Sequence, residues 1–133
     1  KIMSMNPINF FLIGLAAACG AWVRLFTGLF MSSLFPGLPL GTLVVNLVGG
    51  LLMGISLAAF HQMTSLSEEL KIILNVGFLG GLTTYSAYTA DIFNLIQRGE
   101  TGFAIAFILA HIIGALGLCF IGYQLINLLC RSF

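Results

Sequence analysis

Long apolar stretches separated by short polar ones make up nearly the whole chain. Four stretches are long enough to cross a bilayer, because a membrane-spanning helix needs roughly 20 apolar residues. They cover about residues 8–31, 40–60, 70–96 and 103–129. This pattern predicts an all-α membrane protein, a single domain over residues 1–133 with four transmembrane helices.

The third apolar stretch is interrupted between Gly77 and Thr89, where glycines and hydroxyl side chains replace the apolar run. These residue types are poor helix formers. In lipid, a broken helix survives only where protein or a watery cavity satisfies its backbone. We therefore predict a broken third helix. Because such breaks often build ion sites, the interruption and the two aromatics that follow it, Tyr85 and Tyr88, form a candidate ion or substrate site.

The composition agrees with a membrane location. The chain has 59% hydrophobic and 7% charged residues and a mean hydropathy of +1.10, whereas soluble domains carry about 25% charged residues. An ordinary cytosolic protein is excluded, and the lipid bilayer is the expected surrounding. The net charge of +1 gives no reason to expect a nucleic-acid partner.

Basic residues give almost no orientation signal. With four spans, the side of the membrane that holds both termini carries Lys1, Lys71 and Arg131, and the opposite side carries Arg24 and Arg98. The orientation of membrane proteins follows the excess of Lys and Arg on one side. A chain so evenly divided can insert both ways round, which permits an antiparallel homodimer.

For several polar groups within the predicted spans, the sequence permits two alternative roles. Asn46 shares a strip with Thr42, Gly50 and Gly54 at intervals of four residues, and either packs against another helix or lines a polar path. Arg24 either reaches the interface or places a positive charge near a pore entrance.

His111 and the tyrosines also have two readings. His111 is more often a hydrogen-bonded packing residue than a ligand, and no second metal ligand lies at helical spacing from it. Tyr85 and Tyr88 either pack as ordinary aromatics or turn their positive ring edges toward an anion.

The motifs of enzymes are absent from the sequence: it contains no Ser/His/Asp set, no Walker loop and no dinucleotide fingerprint. We therefore expect no enzyme activity. The first span contains no Asp or Glu, which argues against a four-helix multidrug antiporter that exchanges a proton on a carboxylate.

Two glycine-rich motifs, Gly41–Gly50 and Gly77–Thr84, and the segment Gly20–Arg24 resemble those of the Fluc (CrcB) family of fluoride channels. The resemblance covers essentially the whole chain. It implies a passive, fluoride-selective channel that exports cytoplasmic fluoride across the plasma (bacterial inner) membrane. It also implies an antiparallel, dual-topology homodimer with two pores.

The resemblance further implies a structural sodium ion at the centre of the dimer, held by the backbone carbonyls of Gly80 and Thr83. It assigns a set of side chains to the fluoride pore, leaving open which of two hydroxyls faces the ion: Asn46, Thr84 or Ser86, Tyr85, Tyr88, His111 and the charged Arg24. Tyr85 and Tyr88 stand where the family has Phe. We therefore expect slower conduction than in a Phe/Phe channel.

A small proton-coupled secondary transporter is the alternative, as a fluoride/proton exchanger or a multidrug antiporter. Such a transporter needs a titratable group at the midplane, and His111 is the only candidate there. A third possibility is a membrane assembly protein that transports nothing, in which the glycines serve packing alone.

Overall fold

A computed structural model describes residues 6–131, and the regular secondary structure of this part of the chain is entirely helical. Its elements are α1 (Pro7–Leu34), α2 (Leu40–Gln62), α3 (Glu68–Ile72), a π-helical segment (Ile73–Leu79), α4 (Gly80–Leu82), α5 (Tyr85–Gln97) and α6 (Thr101–Arg131). Three of them, α1, α2 and α6, are long and apolar enough to cross a membrane. The prediction of an all-α membrane protein is confirmed.

The ends of the helices follow from local chemistry. The side chain of Asn6 accepts a hydrogen bond from Ile8 N (3.1 Å) and Pro7 occupies the first turn, so α1 begins there. Glycines with positive φ, Gly37 (+86°) and Gly99 (+78°), turn the chain between α1 and α2 and between α5 and α6. Only glycine adopts this backbone conformation without steric strain.

The third apolar stretch is broken, as predicted, and the structure locates the break at two threonines. Thr83 and Thr84 have extended backbones (ψ 157° and 121°) between α4 and α5. The glycines before them stay helical: Gly77 lies in the π-helical segment, and Gly80 begins α4. A π-helix and a nearby break often mark functional sites in membrane helices.

The glycines bring neighbouring helices close to one another. On α2, a methyl group at Gly50 would lie 2.6 Å from Ala115 O, and one at Gly54 would overlap Cys119 O, both on α6. On α1, a methyl group at Gly20 would overlap Phe78 O in the broken stretch. The packing role predicted for the α2 strip is therefore correct for Gly50 and Gly54.

Two small apolar clusters hold the helices on either side of the break. One contains the buried Val45, Leu79 and Leu82, and the other contains Leu95, Ala104 and Phe107. Much of the remaining apolar side-chain surface points outward; for example, Phe11 and Phe26 are largely exposed. A surface of this kind is suited to lipid chains.

The close approach of α2 to α6 is testable with a matched pair of substitutions. We expect Gly54→Ala to lower the free energy of unfolding by about 1–3 kcal/mol, because the added methyl overlaps the α6 backbone. Gly117→Ala is the control, since a methyl there meets nothing within 4 Å. Thermal unfolding in detergent measures both. Equal melting temperatures for the two variants would contradict the packing described.

Candidate functional site: a cavity at the helix break

A cavity of about 470 Å³ lies at the break. Its wall combines residues from α2, the break, α5 and α6: Asn46, Thr83, Thr84, Tyr85, Tyr88, His111, Ile112 and Ala115. Five of the residues that we assigned to a pore therefore meet in one place, although they come from distant parts of the sequence. None of the residues lining this cavity is an Asp, Glu, Lys or Arg.

Asn46 and Thr84 form a reciprocal pair of hydrogen bonds. Asn46 Nδ2 donates to Thr84 O (3.0 Å), and Thr84 N donates to Asn46 Oδ1 (2.8 Å). The amide oxygen therefore replaces the helical acceptor that Thr84 N loses at the break, the amide N–H adds a bond to the carbonyl of this N-cap residue, and Thr84 is only 8% exposed. Asn46 also lines the cavity, so it both packs and faces the candidate site.

The two hydroxyls beside the break have different positions. Thr84 Oγ1 accepts a hydrogen bond from Ala87 N (3.1 Å), which caps the start of α5. It also lies 3.2 Å from Ser86 Oγ. Thr84 lines the cavity, whereas Ser86 is exposed and is not part of this lining. Ser86 is connected to the cavity through the Thr84 hydroxyl.

Four rings form a continuous series from the cavity into the core. The ring centroids of Tyr85 and Tyr88 are 5.7 Å apart, those of Tyr88 and His111 4.5 Å, and those of His111 and Phe107 4.4 Å. Tyr85 is 80% exposed, whereas His111 is 6% exposed. Sequence reasoning missed Phe107; its position one helical turn before His111 is the signal that points to it.

His111 is held at one nitrogen only. Its Nδ1 lies 3.0 Å from the backbone oxygen of Phe107. Its Nε2 is buried and has no hydrogen-bond partner within the described residues. The expectation of a packed, hydrogen-bonded histidine therefore agrees with the burial of the ring and with the contact at Nδ1.

Arg24 binds the break from the opposite direction. Its guanidinium donates from NH1 to Thr83 O (3.2 Å), and the side chain is half-buried and does not line the cavity. It contributes here by satisfying a backbone oxygen that the extended conformation of Thr83 leaves outside the helix. Neither of the two roles considered for it, at the interface or at a pore entrance, includes this contact.

The carbonyls predicted to bind sodium lie at the same break. Thr84 N would donate to Gly80 O in a continuous helix, but it donates to Asn46 Oδ1 instead. Gly80 is exposed, and the nearest atom to a methyl there would be Asn75 O at 3.8 Å. Thr83 O has two lone pairs and uses one for Arg24. Backbone oxygens are the ligands that hard cations prefer, so the donor chemistry fits sodium.

A second, smaller cavity of about 190 Å³ lies beyond the apolar cluster around Leu95. Asp91, Asn94 and Arg98 on and after α5 contribute its polar wall. One carboxylate oxygen of Asp91 is buried without a partner among the described residues. Asp91 lies one helical turn after Tyr88 in the sequence, but it was not among the residues that we assigned to the pore.

Comparison with known proteins points to one family. Residues 11–123 match the family model described as "CrcB-like protein, Camphor Resistance (CrcB)". A protein of Aromatoleum aromaticum named "Fluoride-specific ion channel FluC" is 46% identical over 89% of this chain and 90% of its own length. Proteins of the same name from Dechloromonas aromatica and Desulfovibrio desulfuricans are 41% and 39% identical, over 89% and 92% of this chain and 87% and 95% of theirs.

The Asn46–Thr84 pair generates a stability prediction. We expect Asn46→Ala to destabilise the fold by about 1–3 kcal/mol, because it leaves the buried Thr84 N–H without an acceptor. Thr42→Ala, one turn earlier on the same helix, is the control, because it leaves this pair intact. Thermal unfolding of the purified proteins in detergent measures the difference. If both variants melt together, Asn46 does not hold the break.

Proposed function

Because this chain belongs to the CrcB family, we propose that it is a passive fluoride-selective channel through which cytoplasmic fluoride leaves the cell. The relatives compared carry the name of an ion channel and not of an enzyme, in agreement with the absence of enzyme motifs. The observation that carries the proposal is the uncharged, donor-bearing cavity at the break. It lies where membrane proteins commonly bind ions.

The wall of this cavity has the chemistry that a small anion needs. Fluoride is strongly hydrated, so a selective path must replace its water with hydrogen-bond donors at close range. Asn46 donates one amide N–H to Thr84 O, and its second amide N–H can donate to an anion. The hydroxyls of Tyr85 and Tyr88 are further donors, and their ring edges are positive. Because no fixed positive charge lies in the wall, a bound anion is not held too tightly to leave.

The broken stretch is the proposed fourth crossing of the membrane. It connects the end of α2 at Gln62 with the start of α6 at Thr101, and α1, α2 and α6 are each long enough to span. α3 to α4 lie before the break and α5 lies after it, so this stretch carries the chain from one side to the other. Four crossings place both termini on the same side.

What a single copy leaves exposed supports the proposal of an antiparallel homodimer. Tyr85, beside the break, is 80% exposed, and Gly80, whose carbonyl no longer receives the Thr84 N–H, is an exposed residue as well. Lipid cannot satisfy a freed backbone oxygen, whereas a second copy against this face can enclose both groups. Two copies bring two cavities and therefore two pores. The three-to-two division of basic residues permits the opposite insertion of the two copies.

Gly80 and Thr83 are the proposed holders of a structural sodium ion on the axis of this dimer. When bound, the ion neutralises the backbone oxygens that the break releases. Within one copy, the guanidinium of Arg24 already donates a hydrogen bond to Thr83 O.

The leading rival is a fluoride/proton exchanger, because His111 places a titratable ring in the cavity wall. A multidrug antiporter is less well supported, since α1 carries no carboxylate. A passive channel conducts charge without any proton gradient, whereas a coupled exchanger stops when the gradient opposes it.

We expect liposomes containing this protein to release fluoride, measured with a fluoride electrode, once a potassium ionophore balances the charge. The release should be independent of an imposed pH gradient, and it should stop when the ionophore is left out. Protein-free vesicles give the background. Release that needs a proton gradient and no ionophore would identify the exchanger, and no release at all would identify a non-transporting protein.

The two tyrosines generate a prediction about rate. Their hydroxyls add bulk and a donor beside the path, so we expect the double variant Tyr85→Phe/Tyr88→Phe to release fluoride faster. Tyr123→Phe on α6, outside the cavity lining, is the control and should match the unmodified protein. Each protein is placed in its own liposomes at equal protein density, and the rates of fluoride release are compared. Equal rates for the double variant and the unmodified protein would refute the idea that the hydroxyls slow conduction.

A further inference from the structure

The two cavities lie at different levels of the same helix bundle. The inner cavity is the one at the break, and the outer cavity is the smaller one of about 190 Å³. The loop between α1 and α2 and the last turn of α5 bound the outer cavity, so it lies toward one end of the helices. The apolar cluster of Leu95, Ala104 and Phe107 separates the two cavities, as the order of residues along three helices shows.

Along α2 and α6, the cluster and the inner cavity follow one another in the same order. At the start of α2, Pro39 lines the outer cavity, Leu43 packs against the cluster, and Asn46 lines the inner cavity. On α6, Phe107 belongs to the cluster, and His111, one turn later, lines the inner cavity. Both helices therefore place the inner cavity directly beyond the cluster.

On α5, which runs the other way, the order is reversed. Tyr88 lines the inner cavity and packs against the cluster, and Ile92 also packs against the cluster. Leu95 belongs to the cluster and lines the outer cavity. Two helical turns, about 10 Å, separate Tyr88 from Leu95. A short apolar layer therefore closes the space between the two cavities.

We propose that the outer cavity is the entrance of the fluoride path and that the cluster, above all Leu95 and Phe107, is its rate-determining barrier. The proposal rests on the proposed fluoride channel and assigns to it residues beyond the inner cavity. Leu95 is 2% and Phe107 4% exposed, so the cluster excludes water, and an ion crosses only when these side chains move apart. Apolar constrictions of this kind control conduction in channels because they dewet.

The cluster opposes a small anion more than either cavity does. In the inner cavity Asn46 offers a hydrogen-bond donor, and in the outer cavity Asn94 and Arg98 do so. The side chains of the cluster carry no donor, so an ion that passes them loses water without a replacement, which is unfavourable. The highest point of the free-energy profile along this path is therefore at the cluster.

The wall of the outer cavity carries one charge of each sign. Asp91 and Arg98 both line it, and among the described residues neither forms an ion pair. An anion that enters here is attracted by Arg98 and repelled by Asp91. Removal of either charge therefore changes the rate of entry in a direction that the sign of the charge decides.

The exposed side of the inner cavity provides the competing route. Tyr85 lines this cavity and is 80% exposed, and an ion that arrives past Tyr85 does not meet the cluster. On that route, neither the cluster nor the charges of the outer cavity affect the release of fluoride. The two routes are therefore distinguished by substitutions on the first one alone.

Fluoride release from liposomes tests the barrier with two buried leucines in different places. Leu95→Ala shortens a side chain of the cluster, whereas Leu79→Ala shortens one that is 5% exposed in the apolar cluster on the other side of the break. We expect Leu95→Ala to release fluoride at least about threefold faster than the unmodified protein, and Leu79→Ala to release it no faster. Ala104→Val adds bulk to the barrier and should slow release.

Only proteins that elute from a sizing column like the unmodified protein are compared. If either alanine variant does not fold, Leu95→Val and Leu79→Val, which remove less of each side chain, take its place with the same expected order of rates. Equal rates for the Leu95 and Leu79 variants would overturn the barrier and leave the proposed channel standing. An unmodified protein that releases no fluoride would overturn both.

Charge substitutions test the entrance. At low fluoride and low ionic strength we expect Arg98→Gln to slow release at least about twofold and Asp91→Asn to speed it, and both effects to shrink in concentrated salt. Lys71→Gln and Glu68→Gln are the matched controls, because these two residues form an ion pair (3.6 Å) that lines neither cavity. If the Arg98 and Asp91 variants behave like these controls, the outer cavity is not the entrance.

Discussion

A helix that breaks inside a bilayer has to satisfy its freed backbone groups from within the protein, because lipid offers no hydrogen bonds. In this chain the side-chain amide of Asn46 does so by bonding both backbone groups of Thr84. Arg24 takes the carbonyl of Thr83. Two polar side chains from different helices therefore satisfy the extended segment, and the cavity lies beside it.

The same constraint explains the distribution of glycines. Polar side chains on α1 and α2 reach the break only if these helices lie close to it. Gly20 on α1 lets the backbone of the broken stretch approach. On α2, Gly49 accommodates the methyl group of Thr83, one turn from Asn46. Helices in membranes associate through small residues of this kind, and here the close packing brings Asn46 and Arg24 within hydrogen-bond distance of the break.

The cavity combines rings and neutral donors rather than fixed charges. Its wall takes Tyr88 and His111 from two helices that face one another, and the deeper Phe107 supports the histidine. Ring edges and neutral hydrogen-bond donors attract an anion less strongly than a permanent positive charge does. This is the balance that a conducting site requires, because an ion has to leave as readily as it arrives.

Hydrophobicity and glycine content alone determined that this is a helical membrane protein with an interrupted third stretch, because spans of apolar residues and poor helix formers are local properties. The residue types of the site, an amide, hydroxyls and two tyrosines, were also readable. The tertiary structure decided that Asn46 pairs with Thr84, 38 positions away, and that Arg24 bonds Thr83 O. It also placed His111 Nδ1 at hydrogen-bond distance from the Phe107 backbone oxygen and left Nε2 without a partner among the described residues. Such pairings depend on which helix faces meet, and that depends on the packing of the whole chain.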